Sequence, residues 1–189
     1  MVQGASQLVT ARKHGKPRST TRTLRLESDL DDSLSNLADR ENVSVNLLIN
    51  KALTRYVEWD ANSEKFGLVS VSKRLLRTLF DNLEDKDARD LGAKSGREGG
   101  PEMVNFFYKK FDLETLLSAF ENLTSKYANN FKFEHTFDGK THTLVMKHDT
   151  GLRASMYYAE SVKAVFALLG LKAKTTETEA QVVATVNVE

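Results

Sequence analysis

From Thr20 to about Trp59 the hydrophobic positions change period twice. Thr21-Arg22-Thr23-Leu24-Arg25-Leu26 alternates with period two: Leu24 and Leu26 fall on one side, Thr21, Thr23 and Arg25 on the other. That pattern predicts a short strand with one apolar face. Arg22 falls on the apolar side, which places it at the strand's edge. Leu30, Leu34, Leu37 and Ala38 then recur at helical spacing, and Ser28 is the expected N-cap, with Asp29, Asp31 and Asp32 complementing the helix dipole. Glu41-Asn42-Val43 breaks the pattern. Ser44 is then expected to cap a second helix ending near Trp59, with Leu47, Leu48, Ala52, Leu53 and Tyr56 or Val57 facing a core.

Residues 61–70 read as a linker, and a second unit is expected over 71–189. Val71, Leu75, Leu76, Leu79, Phe80 and Leu83 mark an amphipathic helix. The glycine-rich stretch from Leu91 to Gly100 reads as a loop; it lacks the glycine, lysine and hydroxyl order of a phosphate-binding loop. Pro101 suits the first turn of a helix holding Val104, Phe107 and Tyr108, and Asp112 the cap of another holding Leu113, Leu116, Leu117, Phe120 and Leu123. Phe131–Phe137 and Lys140–His148 flank Asp138-Gly139, a favoured hairpin turn dipeptide. A two-residue turn there sets His135 opposite His142, Phe133 opposite Leu144 and Phe131 opposite Met146. A helix from Leu152 to Leu169 ending at Gly170, and a valine-rich strand over Gln181–Val188, complete the order ααα-ββ-α-β. The fold class expected is α+β.

Composition adds three constraints. The 189 residues contain no cysteine, so disulfides, thiolate metal sites and cysteine nucleophiles are excluded. No apolar run approaches the ~18–20 residues of a spanning helix, and the first residues show no apolar signal-peptide core; a cytoplasmic, nucleoid-associated location is expected. The net charge of +1 hides an asymmetry: residues 1–25 hold six bases and no acid, whereas the remaining 164 hold 21 bases and 26 acids. A basic flexible arm over residues 1–19 on a mildly acidic body suits a polyanionic partner.

A six-residue strand and two short helices bury too little apolar surface to fold alone, and the strand has no partner within its own module. Two chains pairing their strands remove both defects. With TRTLRL, the SDLDDSLSNLADREN helix and VSVNLLINKALTRYVE in this register, residues 20–60 closely resemble the ribbon-helix-helix family of DNA-binding proteins. The resemblance implies a dimeric, intertwined β-ribbon over four helices, and a sequence-specific transcriptional regulator, such as a repressor, acting on double-stranded DNA. The ribbon would enter the major groove with Thr21, Thr23 and Arg25 toward the bases. Arg25 is suited to guanine O6 and N7, the commonest specific contact. Phosphate contacts are expected from the acid-free start of the second helix (Ser44, Val45 and Asn46), from Arg22, and from Arg12, Lys13, Lys16 and Arg18 of the arm.

The second unit is expected to sense a signal or to set assembly, including a possible tetramer; a small-molecule effector is one candidate partner. Its aromatic residues (Phe106, Phe107, Tyr108, Phe111, Phe120, Phe131, Phe133, Tyr157, Tyr158 and Phe166) suit a core or a ligand pocket. His135 and His142 supply two ligands at most, and His148 lies ~20 Å from His142 along an extended strand. No metal or other cofactor is therefore expected. No nucleophile motif is present, so an enzyme is not expected. Two alternatives remain at this stage: an architectural or partition protein that coats DNA, and an antitoxin-type protein that binds both DNA and a partner.

Overall fold

A computed structural model describes residues 20–188. Contacts divide the chain into two compact units that meet between Lys65 and Phe66. The fold is α+β: helices and one four-stranded antiparallel sheet, with all four strands in the second unit.

In the first unit α1 spans Ser28–Glu41 and α2 spans Val45–Arg55. Asn42 adopts a left-handed conformation (φ 53°), and its amide and that of Val43 bond back to the carbonyls of Asp39 and Ala38, which stops α1. Ser44 caps α2 as expected, its hydroxyl accepting the Leu47 amide at 3.2 Å. Three expectations are corrected. Glu27, not Ser28, occupies the N-cap position of α1 and makes no side-chain cap bond; Ser28 is the first helical residue. The second helix does not end near Trp59: a π-helical turn over Tyr56–Asp60 carries it into α3, Ala61–Phe66. The strand expected over Thr21–Leu26 is not formed in the single chain. The described residues offer this segment no second strand to bond, so alternation alone does not make it a strand.

The second unit opens with α4 (Lys73–Asp81), α5 (Asp85–Arg97), α6 (Gly99–Tyr108) and α7 (Leu113–Ser118), the last extended by a π-helical segment over Ala119–Tyr127. The glycine-rich stretch is therefore helical, not a loop. Ala88, Gly92, Gly96 and Gly100 recur every four residues and lie toward α8, Leu152–Ala167. A Cβ on Gly92 would come within 2.2 Å of the Tyr157 carbonyl oxygen, and one on Gly96 within 2.3 Å of that of Ser161. These glycines bring two helix backbones together. Asp112 caps α7 in a reciprocal box with Thr115. Lys110 and the Thr115 amide hold its carboxyl at about 2.

The sheet runs β1 (Lys132–Phe137), β2 (Thr141–Lys147), β4 (Gln181–Asn187), β3 (Ala173–Thr178) in spatial order. The strand β3 was not expected. Leu144, Met146, Val182, Ala184 and Val186 point to the buried face, which α8 covers with Val162 and Phe166 among others. The hairpin register differs from expectation: His142 pairs with Phe137, Leu144 with His135 and Met146 with Phe133. Asp138 causes the shift. Its Oδ1 accepts the amides of Lys140 and Thr141 at 2.9 and 2.8 Å, so Gly139-Lys140 rather than Asp138-Gly139 forms the centre of the turn.

Candidate nucleic-acid interface

Thr21, Arg22, Thr23 and Arg25 are all exposed, and Leu26 is half-buried. Neither arginine is paired with an acid among the described residues. Ser44 and Asn46 are exposed and Val45 half-buried at the start of α2. The Leu47 amide is taken by Ser44, which leaves the Val45 and Asn46 amides without a partner among the described residues. No acid lies in the first turn of α2, whereas α1 carries Asp29 and Asp31 there. The two helix starts thus differ in sign, and of the two only that of α2 presents free amides without a repelling carboxylate. Arg12, Lys13, Lys16 and Arg18 lie outside the described residues.

In the second unit the structure brings His135 and His142 together, though not as a directly facing pair. They sit diagonally across β1 and β2, with His135 Nε2 2.8 Å from His142 Nδ1 and the rings stacked 5.0 Å apart. Phe137 stacks on the other side of His142 at 4.2 Å. Burial and then the neighbouring His135 push the His142 pKa below its usual value, against a smaller opposing pull from Asp138. Among the described residues no group of three or more histidine, aspartate or glutamate side chains is placed to hold a metal.

His148 belongs to another arrangement. It is buried, and Nδ1 faces the Thr150 amide at 3.3 Å and so must accept. The ring hydrogen is therefore on Nε2, where it donates to Ser155 Oγ at 2.9 Å; that hydroxyl donates in turn to the Thr178 carbonyl at 2.5 Å. Thr150 Oγ1 lies 3.0 Å from the same Nδ1. Burial lowers the His148 pKa, with Asp149 opposing and Lys73 assisting. The serine beside this histidine is fully buried and committed to a carbonyl, so the pair ties the end of β2 to α8 and β3 rather than offering a nucleophile. Asp149 is engaged by Lys73 at 3.3 Å instead. Sequence spacing alone did not reveal this network, because Ser155 and Thr178 reach His148 from two different elements.

No protein-family model matches the chain, and no curated protein matches it significantly. Among the described residues no helix is long and apolar enough to cross a membrane.

Proposed function

We propose that this protein is a dimeric, sequence-specific DNA-binding regulator that inserts a ribbon made from residues 21–26 of two chains into the major groove. The observation that carries this reading is the unfinished state of the first unit. Leu24, Leu30, Leu53 and Tyr56 are 56, 50, 55 and 60% exposed in the single chain, and the backbone of residues 21–26 has no strand partner among the described residues. A second copy would pair that segment and cover those side chains at once, leaving Thr21, Thr23 and Arg25 on the opposite face. The acid-free start of α2 is suited to a phosphate, which would fix the ribbon's register without reading sequence. Arg22 and the basic residues before it would add salt-dependent affinity.

Selection of duplexes from a random pool tests this directly, comparing the intact chain with a Thr23→Ala/Arg25→Ala variant. The expected outcome is a two-fold-symmetric site enriched by the intact chain alone. Binding that is salt-sensitive but selects no site would replace the regulator with an architectural DNA coat, the reading favoured by the basic residues of 1–25. Absence of DNA binding would remove both.

A further inference from the structure

The second unit contains a cavity of about 380 Å³ among α4, α5, α6, α7 with its π-helical extension, and α8. Packing voids are rarely larger than a water molecule, whereas small-molecule sites span ~300–1,000 Å³. Phe66, Phe80, Phe120, Phe131, Tyr157 and Tyr158 make its wall largely aromatic. Phe80 lies 5.4 Å from Tyr157, and Phe131 meets Tyr158 edge-on at 5.3 Å, so the rings support one another rather than closing the space.

Beside Thr124, Asn130, Tyr158 and Ser161, the wall carries one directly bonded pair of hydroxyls. Ser95 Oγ and Tyr157 OH stand 2.7 Å apart, and neither has another partner among the described residues. Two hydroxyls carry two hydrogens, and the bond between them uses one. One O–H is thus left to donate to something else. No lysine, arginine or histidine lines the cavity; its one charged residue, Glu102, is solvent-exposed and marks where the space opens to water. Burying an unpaired charge against such a wall is costly, and Glu102 adds repulsion for an anion.

We infer that this cavity is a binding site for an uncharged, flat, largely apolar small molecule carrying a hydrogen-bond acceptor. Its rings would lie against the phenylalanines and tyrosines, with the acceptor on the Ser95–Tyr157 hydroxyl pair. The inference concerns the second unit alone and does not depend on DNA binding.

The test is a fluorescence titration of the full chain with prodan, an uncharged naphthyl ketone, beside the anionic dye anilinonaphthalenesulfonate. Prodan is expected to bind saturably, one per chain, with blue-shifted emission and a Kd of about 1–100 μM. The sulfonate is expected to bind at least tenfold more weakly. Met103→Trp, which fills the cavity from α6, should cost at least tenfold in prodan affinity; Ser161→Leu, from α8, serves if the first variant does not fold. Ser95→Ala/Tyr157→Phe, which removes the donor, should weaken the ketone by several fold while leaving the melting temperature near that of the parent. Unsaturable binding, equal affinity for the sulfonate, or indifference to a folded cavity-filling variant would overturn the proposal.

Discussion

The sheet and α8 of the second unit and the helices of the first treat their apolar residues in opposite ways. In the second, Phe166, Leu144, Met146, Val162 and Val182 are all fully buried between one long helix and one face of the sheet. In the first, Ala38, Leu48 and Trp59 are buried, but Leu24, Leu30, Leu47, Leu53, Tyr56 and Val57 remain exposed although the same helical periodicity placed several of them inward. Amphipathic spacing identifies a face that must be covered; it does not say whether the cover comes from the same chain. The sheet and α8 supply each other's cover, although α4 of the same unit leaves Leu75 and Leu79 exposed. Residues 20–65 have the capped helices and the apolar stripe but only part of a core.

The largest effect that would sharpen this contrast is expected from the close helix contact of the second unit. Gly96→Ala gains up to ~1 kcal/mol in helix propensity, but its Cβ meets backbone rather than a movable side chain. The clash wins, at about 3 kcal/mol or more of stability. Calorimetry should show the second unit's transition falling while the first unit's stays in place.

Next comes a test of the missing cover. As a surface residue of a monomer, Leu53 mutated to Ser should change stability by no more than about 0.5 kcal/mol. As an interface residue of the proposed dimer it should cost about 2 kcal/mol per protomer. The first unit's melting temperature should then also rise with protein concentration. A concentration-independent transition, insensitive to Leu53→Ser, would break the dimer.

A change of similar size is expected for Arg25→Ala: about 1–3 kcal/mol of discrimination at one base position, with other positions unchanged, as measured by competition among single-substitution duplexes. Uniform loss over all duplexes would make Arg25 a phosphate contact instead.

The smallest effect concerns pH. Burial depresses the His148 pKa below the ordinary value of 6.5, with Asp149 and Lys73 the charged groups acting on it. Below about pH 6.5 the unfolded chain therefore binds a proton that the folded chain resists, and stability is lost as pH falls toward the folded-state value. His142 adds in the same direction. His148→Gln, which keeps one donor and one acceptor but does not titrate, should flatten the second unit's melting temperature between pH 6.5 and 5. An unchanged slope would assign the pH response elsewhere.

Much of the local structure was legible because single side chains set it. Ser44 and Asp112 each accept an amide at a helix start, Asn42 stops α1, and Gly170 takes the left-handed position after α8. What was missed depended on distant partners. The glycines at 92, 96 and 100 look like loop residues until α8 is laid against them; their spacing of four was the available signal. β3 (AKTTET) holds no large apolar residue, Ala173 alone being apolar, so it gives no apolar alternation to read. The hairpin register turned on which residue of Asp138-Gly139-Lys140 sat at the turn's centre, and a carboxylate decided it. Of the described candidate DNA contacts, all but the half-buried Val45 are exposed, and their residue types were readable directly. The cavity was not readable as a site, because Phe80, Phe120, Phe131 and Tyr157 come together only from three separate helices and the segment before β1.

The strand order also bears on how the molecule behaves in crowded solution. β2 and β4 (THTLVMK and QVVATVN), which carry the β-branched and apolar run, are the two inner strands; the outer ones present Lys132, Glu134, Lys174 and Glu177. Charge at both rims discourages edge-to-edge pairing of sheets into fibrils. The valine-rich stretch Val182 to Val186 is hydrogen-bonded on both sides and becomes available for such pairing only when the second unit comes apart.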